Sequence, residues 1–425
     1  MTILHPITQA GCGCDGQDVA KKLITIDAAL ALIADRTAAV DGAENMPLDR
    51  ALGRILAGPV TTSVMSPPFD NAAMDGFALP AAALAGDGPW TLDVVTRVVA
   101  GQTPAVPLFG LQAARIFTGA KVPEGADAVV MQEDVKRTGS TIRIDQRPKP
   151  GLNIRRAGSE MGAGVTILDQ GRRLDARAIA ACAAAGAGTI PVRRRLRVAL
   201  LVTGDEVRAT GAGRTDAQIW DINTPMLSAL VTQPHLDLVA VEQGLDSRDG
   251  LALQLAEMAA CADLVITTGG ISVGEEDHVK PALLALGGDI HFSGVAIKPG
   301  KPVSFGLVRG AAWLGLPGNP LSAFVTWQIF GTALVARMTG EAGQAVRRHV
   351  VTGAAISRKA GRCELRPATC TGFDGLGREV VTFDAETHSA HVCGLSDRDG
   401  LIFLPADCDV LPAGALVEFQ PFCRT

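Results

Sequence analysis

The residues of this chain that could do chemistry sit directly after short apolar runs. Leu264-Val265-Ile266 is followed by Thr267-Thr268-Gly269-Gly270-Ile271-Ser272-Val273-Gly274-Glu275-Glu276-Asp277. A glycine pair at the carboxyl end of a strand lets the backbone turn sharply and approach a ligand, and open α/β sheets bind ligands at that end. Ser272 offers a hydroxyl, and Glu275, Glu276 and Asp277 offer hard oxygen donors suited to Mg²⁺ rather than to zinc. The same carboxylates would equally suit a helix start near Asp277 or Val279, facing the positive end of the dipole. Val202-Thr203-Gly204-Asp205-Glu206 repeats the arrangement after another apolar run. Two such loops on one parallel sheet would open on one edge, although Asp205 could also simply cap a helix.

Two further segments carry anion chemistry. In Lys298-Pro299-Gly300-Lys301-Pro302 a Pro-Gly turn fixes two ammonium donors. Leu316-Pro317-Gly318-Asn319-Pro320-Leu321-Ser322 closes a strand and opens a helix whose first N–H groups face an anion. Together they predict an oxyanion or phosphate pocket, while a solvated turn would have the same composition. Pro67–Phe77 and Ile116–Gly125 read as rigid turns by composition. His278, His388 and His391 lie near candidate loops but show neither zinc spacing nor a nucleophile beside them.

The elements that must position these loops follow from periodicity. Residues 1–20 read as a disordered leader. Thr25 can cap a helix to Val40, and Leu48, Leu52, Ile55 and Leu56 predict a second, shorter one. Between 61 and 151 the texture is β-rich, with Leu92, Val94 and Val98 on one side of a strand. Asp175 can then cap a helix carrying Ile179 and Cys182 and ended by Gly186. Helices flanking a β segment predict an insertion, with the two helical pieces packed together. From Val198 to Ile297, the strands Val198–Val202, Leu238–Val241, Leu264–Ile266 and Val295–Ile297 alternate with helices near 222–234, 249–261 and 279–287. That rhythm predicts a doubly wound, mostly parallel α/β sheet covered on both faces. Beyond Arg347, short strands such as Glu379–Thr382 and Leu401–Leu404 predict a small β-barrel or sandwich.

Composition limits the function classes. A chain of 425 residues with 47% apolar content can bury several cores, about three by length. The net charge of −5 draws it to no polyanion, and the absence of tyrosine argues against a stacking surface for nucleic acid. No apolar run of ~18 residues and no signal peptide is visible, so a cytoplasmic, membrane-free location is expected. The cysteines then read as reduced core residues, apart from the Cys12/Cys14 pair in the leader. Arg193, Arg194, Arg195 and Arg197 read as a solvated face before a strand.

Phe69-Asp70-Asn71-Ala72-Ala73-Met74-Asp75-Gly76, Thr118-Gly119-Ala120, Thr203–Glu206, Gly269–Gly274, Lys298–Pro302 and Leu316–Pro320 occur in one order along the chain. As an ordered set covering about residues 20–425, they resemble the MoeA and gephyrin E-domain family of molybdopterin molybdenumtransferases. The resemblance implies an elongated helical/β domain (21–60 and 152–194), an inserted β-rich domain (61–151), an α/β molybdopterin-binding domain (195–343) and a C-terminal β-barrel (344–425). It further implies a homodimer with a shared active-site cleft, converting adenylated molybdopterin and molybdate, with Mg²⁺, to molybdenum cofactor and AMP. An adenylyltransferase and recipient molybdoenzymes would be its partners. Residue by residue, Asp75 and Thr118 match cleft-facing positions of the insertion. Glu206 and Asp277 match functional carboxylates, with Asp205 as a second candidate beside Glu206. Gly269, Gly270, Ser272 and Gly274 match the pterin-binding loop. Lys298, Lys301, Pro302, Ser322, Arg366 and Ser389 match the molybdate pocket, and Glu206, Asp249 and Asp277 are the implied metal ligands. The chain departs from the family where Asp249 stands alone, where Gly294 replaces a basic residue, where Glu160 replaces an aspartate, and where Arg366 lies one residue from the family's arginine. A molybdopterin adenylyltransferase, which would resemble the α/β domain alone, and a non-catalytic cofactor scaffold are the competing readings.

Overall fold

The computed structural model describes residues 23–245, 247–271, 277–343, 347–384, 389–390 and 392–422. The leader with Cys12 and Cys14, Ser272, Gly274, Glu275, Glu276, His388 and His391 lie outside the described residues.

Six strands form the central sheet, in the order Leu236–Gln243, Leu196–Val202, Leu264–Thr268, Ala311–Leu316, Ser304–Val308 and Asp289–Ser293. The first four run parallel, and Ser304–Val308 runs antiparallel to both of its neighbours. Alternation divides their side chains between two cores. Val198, Leu200, Ile266 and Leu314 enter one, and Ala199, Leu201, Val265 and Trp313 enter the other. A sheet buried on both faces explains why these strands read as unbroken apolar runs. Val295–Ile297, expected as a fourth strand of this sheet, does not join it. Val295 bridges to Ile24, and Ile297–Lys298 pairs with Cys363–Glu364 of the C-terminal unit. The strands at Asp289–Ser293 and Ser304–Val308 were not legible as such.

The helices expected over this region form as α3 (Asn223–Val231), α4 (Arg248–Cys261) and α5 (Val279–Ala285). Helix α1 (Ile26–Arg36) is capped by Thr25, whose hydroxyl accepts the Ala28 N–H at 3.1 Å. Its Ile26 and Ile33 are each 1% exposed and lie in the same core as the sheet. Two such side chains contribute roughly 1.5–3 kcal/mol apiece, which fastens α1 here rather than on α2 (Ala176–Ala184). What packs on α2 is the segment Met46–Val60. That segment is not the expected second helix: only Leu48–Arg50 is helical, as one 3₁₀ turn. Gly53, at φ +75°, ends any helical continuation. α6 (Pro320–Thr326) and α7 (Thr332–Thr339) join through a π-helical turn, where Gly331 lets the Trp327 ring lie against the backbone. The whole run Pro320–Thr339 is long and apolar enough to cross a membrane, contrary to the composition reading, but 78% of its apolar stretch is buried inside the protein.

The chain leaves and re-enters the elongated region through three nested antiparallel pairs. They are Ala43–Pro47 with Thr189–Arg193, Val60–Thr61 with Thr166–Leu168, and Asn71–Ala72 with Ile154–Arg155. Between the innermost strands lies a separate six-stranded sheet with its own two-sided core. There Val98 does not share a face with Leu92 and Val94. An irregularity between Val94 and Thr96 shifts the register and turns Val98 to the opposite core. The C-terminal unit is a closed five-stranded barrel of Cys363–Phe373, Glu379–Phe383, Arg348–Thr352, Leu416–Pro421 and Gly400–Leu404. The described cysteines are all free, but only Cys182 and Cys363 are buried.

The arginine run at 193–197 is not a bare solvated face. Arg194 and Arg197 both bind Asp263, through nitrogens 2.7 to 3.3 Å from its carboxylate. Burial pushes that carboxyl up, but hydrogen bonds from Arg194 and Arg197 outweigh it and hold it well below the ordinary range. Its stabilisation is therefore full above the unfolded value of about 3.9 and is lost as pH falls through the lower folded value. Asp263→Asn should cost roughly 1–3 kcal/mol at neutral pH. In urea unfolding, its gap from wild type should narrow as pH drops below about 4. A gap independent of pH would contradict this.

Candidate active site

Register gathers the glycine loops. Val202 pairs with Thr268, and Thr268 with Leu316, so three strands end level with one another. The chain continues from these ends as Thr203–Glu206, Gly269–Gly270 and Pro317–Asn319. Backbone and side-chain hydrogen bonds then stitch the loops together. The Thr203 N–H donates to the Thr268 carbonyl at 3.0 Å, and the Gly269 N–H to the Leu316 carbonyl at 3.2 Å. The Thr268 hydroxyl donates to the Pro317 carbonyl at 3.0 Å. Asn223, at the start of α3, donates through Nδ2 to Thr268 Oγ1 at 3.0 Å and to the Gly318 carbonyl at 2.7 Å. Gly269 has φ +85°, and a Cβ there would lie 2.6 Å from Thr203 Oγ1. Only glycine satisfies both demands.

Above these loops lies a cleft of about 1050 Å³. Its wall includes Gly269, Gly270, Glu206, Asp205, Asp277, Pro302, Asn319 and, from the C-terminal segment, Ala390. Glu206 folds back over Gly204, with carboxylate oxygens 2.8 and 2.9 Å from where a Cβ would sit. Asp205 caps no helix, since the chain continues as the short strand Val207–Arg208, which pairs with Ile219–Trp220. That ribbon lines the cleft with Ile219 and Trp220, and Arg214 lies 5.5 Å over the Trp220 ring.

The other expected site residues divide into three groups. Asp249 lies exposed in the first turn of α4 and is not on the cleft wall, although Leu245 and Leu251 are. Among the described residues no three His, Cys, Asp or Glu side chains converge as a metal cage; of the expected trio, Glu206 and Asp277 line the cleft. Asp75 and Thr118 meet each other instead: the Thr118 N–H and hydroxyl donate to Asp75 Oδ1 at 2.8 and 2.7 Å. The Thr118 backbone bond, followed by its hydroxyl bond, holds the Asp75 carboxyl below its ordinary value. Neither residue lines this cleft.

Of Lys298, Lys301, Pro302, Ser322, Arg366 and Ser389, only Pro302 lies on the cleft wall. The Lys298–Pro302 turn abuts α6, since a Cβ on Gly300 would meet Thr326 Cγ2 at 2.4 Å and the Ser322 carbonyl at 3.7 Å. Ser322 is buried in α6, and Lys301 is exposed. Ser389 accepts from Asn319 Nδ2 at 3.1 Å, and its carbonyl accepts the Leu321 N–H at 3.1 Å. Lys298 and Arg366 meet through a residue the sequence reading missed, Glu364. Arg366 Nε donates to Glu364 Oε1 at 2.8 Å, and Lys298 Nζ lies 3.7 Å from the same oxygen. Gly294 has φ +106°, and a Cβ there would fall 2.8 Å from Leu23 Cδ2, so any side chain at this position is strained. Glu160 accepts from Ser66 at 2.9 Å. Asn223 was also missed; its only signal was an Asx-rich stretch, Asp221-Ile222-Asn223, before an apolar helix.

A mostly parallel sheet with a glycine-turned, carboxylate-walled cleft at its carboxyl edge defines an open α/β ligand-binding protein. Comparison with known proteins narrows that class. Residues 24–186 match the MoeA N-terminal region (domain I and II), and residues 199–337 match a probable molybdopterin binding domain. A molybdopterin molybdenumtransferase of Haemophilus influenzae is 37% identical over 322 residues, 75% of this chain and 78% of that protein. Molybdopterin molybdenumtransferase 2 of Mycobacterium tuberculosis is 33% identical over 383 residues, 88% of this chain and 93% of that protein. The solved structure of a molybdopterin biosynthesis MoeA protein from Pyrococcus horikoshii superposes with a TM-score of 0.79 at 27% identity, covering 94% of this chain and 100% of that one. The chain belongs to the molybdopterin molybdenumtransferase family.

The glycine requirement is testable by stability alone. Gly269→Ala should cost roughly 2–4 kcal/mol, combining a positive φ with a collision. Gly310→Ala, also at positive φ but with nothing within 4 Å of its Cβ, should cost about 1 kcal/mol. Equal losses in thermal unfolding would show that the close approach to Thr203 is unimportant.

Proposed function

We propose that this protein inserts molybdenum into molybdopterin, taking adenylated molybdopterin and molybdate to molybdenum cofactor and AMP. The observation that carries this reading is the cleft at the level strand ends, with Glu206 and Asp277 on its wall and the Lys298–Pro302 turn at its border. The cleft would hold the adenylated pterin, and Lys298 and Lys301, with Ser322 and Ser389 nearby, would replace the water shell of the molybdate dianion. Two carboxylates fit Mg²⁺, which takes one or two such ligands and completes its shell with phosphate oxygens and water. Bound there, Mg²⁺ would offset charge on the phosphates; Glu206 and Asp277 would hold and orient it, and catalysis would rest on positioning and charge stabilisation. Asp249, outside the cleft wall, is not needed for this.

Asp75 and Thr118 enter the same reading through a homodimer, in which the insertion of one copy faces the cleft of the other. In support, Thr118 is exposed, Asp75 is half-buried beside it, and neither lines the cleft of its own chain. We take residues 61–151 as the inserted domain, 195–343 as the molybdopterin-binding domain and 344–425 as the barrel domain. The location would be cytoplasmic, with an adenylyltransferase supplying the substrate and molybdoenzymes receiving the product.

The test is AMP release from adenylated molybdopterin on addition of molybdate and Mg²⁺. Lys298→Ala should raise the molybdate requirement roughly tenfold, and Asp277→Asn should depress turnover about 100-fold. Molybdate-independent adenylation of molybdopterin by ATP would instead mark an adenylyltransferase, and tight binding without release would mark a scaffold. Subunit sharing has its own test. Asp75→Asn and Asp277→Asn dimers, each inactive, should recover about a quarter of wild-type turnover after random subunit exchange, because each heterodimer then holds one intact site. No recovery after verified exchange would place both residues in one subunit's site.

A further inference from the structure

Glu364 is the most deeply buried carboxylate beside the lysine turn. It is 1% exposed and lies among three cations. Its Oε1 accepts from Arg366 Nε at 2.8 Å, while Arg358 lies 3.7 Å from Oε2, which has no hydrogen-bond partner. Both arginine side chains are buried, at 5% and 2% exposure. Lys298 differs: its side chain is 49% exposed, and its Nζ stands 3.7 Å from Oε1, too far for a hydrogen bond. Its backbone is nonetheless fixed opposite Glu364, because Ile297–Lys298 pairs in parallel with Cys363–Glu364. The arginines therefore anchor the carboxylate, and the lysine is only electrostatically tethered to it.

We propose that Glu364 is a positioning residue: it is the resident counter-ion of Lys298, with which any incoming oxyanion must compete, and so sets the oxyanion affinity of this site. The inference rests on the reading of Lys298 as an oxyanion ligand. Without Glu364, the exposed Lys298 would lose its nearest counter-charge and attract any small dianion more strongly. With it, a dianion must draw Lys298 off the carboxylate and tolerate the buried negative charge behind it. A bare oxyanion then binds weakly unless further contacts in the site assist it.

The experiment is calorimetric titration of the full chain with molybdate, sulfate and phosphate separately. Glu364→Gln removes the charge but keeps an oxygen to accept from Arg366. It should bind molybdate about tenfold more tightly than wild type, with sulfate and phosphate tightening in parallel. Glu364→Asp, which retracts the charge from Lys298 but preserves it, should tighten binding a few-fold and decides the matter if Glu364→Gln does not fold. In a Lys298→Ala background, the gain from Glu364→Gln should shrink to about twofold or less. A merely structural glutamate would give unchanged or weaker binding in both variants, and that result would overturn the proposal. If Lys298→Ala alone leaves molybdate binding unchanged, the reading of Lys298 itself fails, and this inference goes with it.

Discussion

The site depends on register. Val202, Thr268 and Leu316 stand side by side because Val198–Val202, Leu264–Thr268 and Ala312–Leu316 are paired residue for residue. A slip of one residue in any strand would exchange its two cores, sending Val265 or Trp313 to the wrong face. The apolar alternation that fixes the cores thus also fixes where the loops emerge. Buried hydroxyls complete the alignment: Trp313 Nε1 donates to Thr267 Oγ1 at 3.0 Å, and Thr268 is bound from both sides.

The rest of the molecule is attached to that edge. α6 begins where the Ala311–Leu316 strand ends, and the Gly300 turn lies against it. Ile297–Lys298 leaves the α/β core to extend the barrel, so the lysine turn is held by two units at once. Ser389 reaches from the C-terminal segment to the start of α6. Side chains from two units can hold a common geometry only if both are fixed to one support, and α6 is that support.

Much of this was legible in the chain, for identifiable reasons. Fully buried parallel strands and glycine pairs at their ends leave strong local signals, so Leu264–Thr268 and Gly269-Gly270 could be read directly. Thr25 and Asp175 were visible as caps because side-chain capping is a three-residue event. Features set by partners distant in sequence were not legible. The irregularity that turns Val98 over depends on the Gln112–Ile116 strand. The partnership of α1 with the sheet core, and of Arg194 and Arg197 with Asp263, spans tens to hundreds of residues. Glu364 looked like any alternating strand residue until the barrel brought Lys298 and Arg366 to it. Of the proposed metal ligands, Glu206 and Asp277 follow sheet strands in sequence and line the cleft, whereas Asp249 lies in the first turn of α4, off the cleft wall.

The most direct measurement is a crystal structure of the protein soaked with AMP and molybdate, recorded with anomalous scattering at the molybdenum edge. The account predicts the AMP phosphate against Gly269 and Gly270, near Glu206 and Asp277, with a molybdenum peak beside Lys298 or Lys301. AMP bound away from the carboxyl edge of the sheet, or molybdenum far from the lysine turn, would contradict it.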